Sequence, residues 1–282
     1  MVADVLGDIN YLTSTTDGCP AWLKTYSEAA SQRSNLVQAP TNILIHNLRG
    51  KENSVDFDTN AFEVLKYNGS IQAEFEDASE EQKRCYKEME ELLEKHLGAS
   101  RVIVYHHSFR SRGKPRPNEE LNDTHRNPAY YPHTDIDGFG AENLVKRLID
   151  ENNCENEKVT RAQIMNVWRL LGSNPSTDKP LTICDYRSID TEKDVHSLEI
   201  RGNLAHKEHR TARILSRNPE DAHKWYYLSD IRPDEMFAFK MYDSKPNVAQ
   251  YAFHTAFHNT SVSASDEEQK SLEIRCLVLY YN

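Results

Sequence analysis

QIMNVWRLL, residues 163–171, reads as a strand whose two faces differ. Successive side chains on a strand leave from opposite faces, so Asn166 and Trp168 share one side and Val167 and Arg169 the other. The stretch opens a series. PLTICDYR (180–187), VHSLEIRG (195–202), RTARILSR (210–217), HKWYYLSDI (223–231), EMFAFKMYD (235–243), AQYAFHTAF (249–257) and LEIRCLVLYY (272–281) follow it. Each alternates or is apolar throughout, and each is bounded by turn residues. Eight such segments predict a mainly β protein with flanking helices, an antiparallel sandwich or barrel carrying its helices outside.

Upstream, TNILIHNL (41–48) and VDFD (55–58) flank the turn-like RGKENS, so residues 1–60 read as an N-terminal extension of strand and loop. Between 78 and 100, Tyr86, Met89, Leu93 and His96 or Leu97 fall at helical spacing, with Ser79 as N-cap and Gly98 as stop. RVIVYHHSF (101–109) is the next strand. The polar segment from Arg110 to Arg126 reads as a loop able to act as a lid, and AENLVKRLIDEN (141–152) as a second helix. No Pro/Gly/Ser-rich linker divides the chain, so 1–282 is expected to be one domain with its core from about residue 100 onward.

A net charge of −10 and a pI near 5.7 argue against a nucleic-acid or anionic-membrane binder, which needs a basic face. The longest apolar runs, such as CLVLYY (276–281), are too short to span a bilayer, and the first 18 residues show no basic-then-apolar leader. The five cysteines are scattered without a CxxC pair, which fits a reducing, cytoplasmic setting. An exposed N-terminal strand could support a homodimer.

The chemistry starts at YPHTDIDGFG, residues 131–140. His133 and Asp135 stand two apart and leave an extended strand from one face, as two ligands of one ion would. Twelve His and 44 acidic residues make about two His-x-acid pairs by chance, and two occur, the other being His206-Lys-Glu208. That second pair sits in a charged stretch with no apolar strand around it and reads as a solvated edge. A facial iron site needs two His and one carboxylate with the remaining positions open. The third ligand must come from a distant strand, and His254, after a long apolar strand and a turn, is the candidate, with His258 four residues later. Arg275 interrupts the apolar C-terminal strand, where a charge is costly unless it meets an anion. It is a candidate anchor for an acidic cosubstrate, or one half of an internal salt bridge. Arg169 is its rival and Arg110 a third. Phe139 could border the pocket or staple the start of the second helix. Asp137 reads as a helix cap.

The segments PHTDIDGFGAENLVKRL, NVWRLLGSNPSTDKPLTICDYRSI, WYYLSDIRPDEMFAFKMYDS and HTAFHNT with KSLEIRCLVLYY together resemble a fungal and bacterial hydroxylase/desaturase family. These are non-haem Fe(II)/2-oxoglutarate enzymes that include gibberellin desaturase and cephamycin 7-methoxylase-like proteins, and the meroterpenoid endoperoxidase fumigatonoid synthase is similar in kind. The resemblance runs from about Val102 to the C-terminus. It implies a double-stranded β-helix (jelly-roll, cupin-like) core, with iron on His133, Asp135 and His254, and with 2-oxoglutarate and O2 as cosubstrates. Arg275 or Arg169 would anchor 2-oxoglutarate. The gap of 21 residues from His254 to Arg275 is longer than the wider superfamily's usual spacing. The implied reaction is hydroxylation, desaturation or endoperoxide formation on an apolar terpenoid or polyketide-derived small molecule. Two other readings remain, a non-redox cupin-type isomerase or hydrolase and a catalytically silent ligand-binding barrel.

Overall fold

The computed structural model describes residues 3–24, 33–155, 158–172, 177–201 and 210–282. The pair His206-Lys-Glu208 lies outside them. In chain order the first half holds β1 (Val5–Thr15), β2 (Ala21–Lys24), β3 (Leu36–Asn47), β4 (Phe62–Lys66), α1 (Glu80–Leu97), β5 (Arg101–Arg112), β6 (His125–Arg126), β7 (His133–Thr134) and α2 (Gly138–Glu151). The second half is built of strands apart from a short 3-10 helix at Tyr186–Ser188: β8 (Val159–Leu171), β9 (Leu181–Cys184), β10 (Val195–Arg201), β11 (Arg210–Leu215), β12 (Trp225–Tyr227), β13 (Glu235–Asp243), β14 (His254–Ala256), β15 (His258–Asn259) and β16 (Gln269–Tyr281). All eight segments expected from the sequence are strands.

They form two sheets, ordered β4-β13-β8-β16-β5-β6 and β15-β1-β3-β12-β9-β14-β7-β11-β10-β2. The antiparallel sets β5-β16-β8-β13 and β7-β14-β9-β12 are the two walls of a double-stranded β-helix. One core lies between the walls and includes Ile164, Trp168, Ile183, Phe237, Phe239 and Leu277. A second lies outside the six-stranded sheet, where Met165, Val167, Ile274 and Cys276 meet Cys85, Met89 and Leu93 of α1. The six-stranded sheet is therefore buried on both faces, which is why its strands read as nearly unbroken apolar runs.

The N-terminal residues are built into this frame rather than appended to it. β1 pairs with β3 from Val5↔Ile45 to Thr15↔Leu36, and β3 runs parallel to β12. The caps explain where the helices begin and end. Ser79 accepts from the Gln82 backbone N–H, and Gly98 takes the left-handed conformation at φ 63° that stops α1. α2 begins at Gly138, earlier than residue 141, because Asp137 caps it by accepting from the Gly140 N–H at 2.7 Å. A hydrogen bond from the Thr211 hydroxyl steadies that cap. Among the described residues no helix is long and apolar enough to cross a membrane.

Candidate metal centre and its two cavities

β7 and β14 are neighbours in the ten-stranded sheet, and their pairing sets His133 opposite His254. The two imidazoles come to 4.4 Å between centroids. Thr134 turns the other way and bonds the Ile136 carbonyl, so the two-residue period returns Asp135 to the face of His133. His133 Nε2 and Asp135 Oδ1 are 3.6 Å apart, and donor atoms of His133, Asp135 and His254 all lie within 4.8 Å of one another.

Two of the three donors are oriented from behind. His133 Nδ1 faces the Tyr131 carbonyl at 2.9 Å. A carbonyl only accepts, so Nδ1 carries the proton and Nε2 presents its lone pair. Asp135 Oδ2 accepts from Asn166 Nδ2 at 2.6 Å and faces Arg275 Nη2 at 3.0 Å, which leaves Oδ1 toward the imidazoles. Burial alone would raise the Asp135 carboxyl, but Arg275, His133 and His254 together hold it well below the usual carboxylate range. His254 is pushed down to about 4 by burial and by the neighbouring His133. It is a neutral imidazole whose two ring nitrogens are both buried without a hydrogen-bond partner. Such orphaned atoms are costly unless a further ligand takes them up. Two imidazoles and one carboxylate on one side of a point, with no thiolate, fit Fe(II) with open positions better than a closed structural zinc site.

Two cavities flank this centre. The larger, about 520 Å3, opens on the Asp135 side between β5, β8 and α2, with Tyr105, Ile136, Leu144, Ile164 and Met241 as its apolar lining. Phe139, 74% exposed in the first turn of α2, stands at its edge. The smaller, about 60 Å3, is lined by both histidines but not by Asp135, together with Arg110, Arg112 and Lys179. Residues 128 and 129, at the end of the polar 110–128 segment, form part of its wall.

Of the two expected cosubstrate anchors, the fold brings only one to the centre. Arg275 faces inward, shared at 3.0 Å each between Asp135 and Glu273. Arg169 is 1% exposed and turned to the opposite face of the sheet. There it bonds the Ile71 carbonyl and stacks its guanidinium 4.1 Å from the Tyr67 ring centroid. It cannot reach a ligand at the triad, because one residue of strand parity separates it from Asn166 and Trp168. His258 is half exposed on β15, with Nδ1 3.7 Å from Asp8. The residue that sequence reasoning passed over is Asn166. The face it shares with Trp168 was legible, but neither the inward direction of that face nor its partner Asp135 was.

Comparison with known proteins agrees with this geometry. The model of the oxidoreductase/YMDC permease-like domain matches residues 9–279. The hydroxylase/desaturase efuI of Hormonema carpetanum is 28% identical over 291 residues, covering 96% of this chain and 94% of its own. The Fe(II)/2-oxoglutarate-dependent dioxygenase nvfI of Aspergillus novofumigatus is 25% identical over 252 residues, covering 87% and 86%. A solved structure of the iron and alpha-ketoglutarate-dependent endoperoxidase NvfI superposes with a TM-score of 0.82 at 22% identity, over 100% of this chain and 99% of that one. That likeness bears on the fold.

Proposed function

The chain belongs to the oxidoreductase/YMDC permease-like domain family, and on that premise we propose that it is an Fe(II)- and 2-oxoglutarate-dependent dioxygenase. Its substrate is an apolar secondary metabolite, terpenoid or polyketide-derived, that is hydroxylated, desaturated or converted to an endoperoxide. The observation that carries the reading is the buried His254, whose ring nitrogens are unpartnered and one of which lies within 4.8 Å of donor atoms of His133 and Asp135. Full-length relatives named as dioxygenases or hydroxylase/desaturases support it.

His133, Asp135 and His254 hold the iron. When bound, Fe(II) supplies the open positions at which 2-oxoglutarate and dioxygen react. The protein's own part is placement. The Tyr131 carbonyl fixes the His133 tautomer, while Asn166 and Arg275 leave Asp135 one oxygen to offer the metal. The cavity beside Asp135 is large enough for a ring-containing molecule and offers it an apolar side made by Tyr105, Ile136, Leu144, Ile164 and Met241. Phe139 stands at its edge.

Anaerobic addition of Fe(II) and 2-oxoglutarate is expected to produce a visible charge-transfer band that His254→Ala abolishes. Correctly folded protein with no band overturns the proposal. Two finer readings accompany it. The exposed Leu6 and Leu44, opposite each other on β1 and β3, mark where a second copy would pack in a homodimer. Five unpaired cysteines suit the cytoplasm.

A further inference from the structure

β5 carries two adjacent histidines, His106 and His107, and the function proposed above uses neither. Resting on the dioxygenase reading, we infer that His106 is a specificity-determining residue whose imidazole donates a hydrogen bond to a carbonyl oxygen of the ring-containing substrate. The larger cavity thereby selects oxygenated skeletons over plain hydrocarbons.

The backbone sets the direction of the ring. Along β5 and β16, Arg275 stands opposite His106 and Cys276 opposite Val104, which leaves Tyr105 as the extra residue of a β-bulge. Neighbours on a regular strand face opposite ways, but here Tyr105 and His106 both line the larger cavity. His107 turns to the α1 side, where its Nδ1 meets the Tyr86 hydroxyl at 2.7 Å and its ring packs on Phe75. Asn166, Arg275 and His106 are cross-strand neighbours on β8, β16 and β5. The first two hold Asp135, so His106 stands one strand farther from the centre, about 5 Å beyond Arg275. A group bound there fixes the far end of a substrate whose skeleton reaches back toward Asp135.

The ring also lacks the partner that a buried imidazole normally has. His106 makes no hydrogen bond among the described residues, and its Nδ1 is buried, so nothing in the protein fixes its tautomer. Burial, with Arg275, Arg126 and Arg210 nearby, pushes His106 down to about 2, which leaves a neutral imidazole with one N–H to give. Cations around that N–H favour an electron-rich oxygen as its partner. They do not call for a full negative charge, since Arg275 faces Asp135 and Glu273 at 3.0 Å and Arg126 faces Asp123 at 3.6 Å. Arg210 is exposed at the start of β11, where water and salt screen it. A carbonyl dipole fits these conditions. A molecule without it leaves the N–H unmet in a desolvated site, which is how a polar site rejects an analogue lacking the matching atom.

The test uses two ring probes of nearly the same shape. 2-Acetylnaphthalene offers an acceptor oxygen where 2-isopropenylnaphthalene has a methylene. Binding of each to the full-length protein with Fe(II) and 2-oxoglutarate, kept anaerobic, is measured by equilibrium dialysis, and the charge-transfer band is recorded on the same samples. Wild-type protein is expected to hold the ketone about tenfold more tightly, the worth of one hydrogen bond in a desolvated site. His106→Leu brings the pair to parity, and His106→Gln, which keeps an N–H, retains about a threefold preference. Equal binding of the two probes by wild-type protein, or no binding of the ketone, overturns the inference. So does a preference that survives His106→Leu, or tighter binding of 2-naphthoate than of the ketone, which marks a carboxylate reader instead. Should His106→Leu not fold, His106→Phe makes the same comparison with a ring in place. A band absent from wild-type protein strikes the dioxygenase reading itself, whereas a band with an unmoved preference strikes only this assignment.

Discussion

The two faces of the six-stranded sheet are both buried and use their side chains differently. Toward α1, Met165, Val167, Ile274 and Cys276 make a dry layer, and the arginine among them, Arg169, is met by neutral groups, the Ile71 and Leu170 carbonyls, the Gln72 side-chain oxygen and the Tyr67 ring. Toward the other sheet, Asn166, Glu273 and Arg275 interrupt the apolar layer and are tied to one another and to Asp135. Both faces tolerate a buried guanidinium, but for different reasons. On the outer face the cation is accommodated by soft partners. On the inner face it compensates two acids that would otherwise repel, and one of those acids is the carboxylate offered to the metal. Charge on the inner face is thus arranged around a function, and charge on the outer face around packing.

Paired substitutions break that comparison most directly. Arg275→Leu strands two buried carboxylates and is expected to lower stability in urea unfolding by about 3–5 kcal/mol, the penalty for orphaning a buried charge. Arg169→Leu forfeits the bonds to the Ile71 and Leu170 carbonyls and to Gln72 and a cation–π contact, leaves no acid unpaired, and is expected to cost about 2 kcal/mol with Fe(II) affinity unchanged. Equal losses in the two variants would erase the distinction between the faces.

A smaller effect sharpens it. Asn166→Ala removes one of the two groups on Asp135 Oδ2 and should weaken Fe(II) binding by about 10–100-fold, as loss of a ligand-orienting partner does elsewhere. Its circular dichroism should match that of wild-type protein. Unaltered metal affinity would reduce Asn166 to a packing residue.

The smallest contrast is between the two helix caps. Ser79→Ala and Asp137→Ala should each cost about 1 kcal/mol in thermal or urea unfolding. Asp137 starts the helix whose first turn edges the larger cavity, so only its loss is expected to raise the KM for substrate. If Ser79→Ala raises KM as much, the cavity is not shaped by α2.

Much of this was legible because alternation survives in a single sequence. The eight strands from 163 to 281 and both helix caps follow from local pattern, whereas the His133, Asp135, His254 set rested on the family resemblance, because the His-x-Asp spacing by itself is no commoner than chance. Pairing register does not. Parity in QIMNVWRLL already separated Asn166 from Arg169, yet nothing in the chain stated which parity faced the metal. That depends on β8 lying between β13 and β16 with α1 behind it. Arg275 illustrates the same gap, since its two candidate roles, salt bridge and anchor, differ only in what stands 3 Å away. The N-terminal strands were readable as strands but not as part of the sheet, because their partners lie in β12 and β15.

The pairing of β7 with β14 has a kinetic consequence. His133 and His254 are 121 positions apart (254 minus 133), and no local segment holds two histidine donors of the set. The unfolded chain therefore presents no site, and long-range strand pairing must be complete before an ion gains anything by binding. Metal capture becomes the last stitch of folding. It stabilises only the finished barrel, by about 2.7 kcal/mol when free metal stands a hundredfold above its dissociation constant. Iron scarcity would then be felt as a shorter-lived protein as well as an idle one.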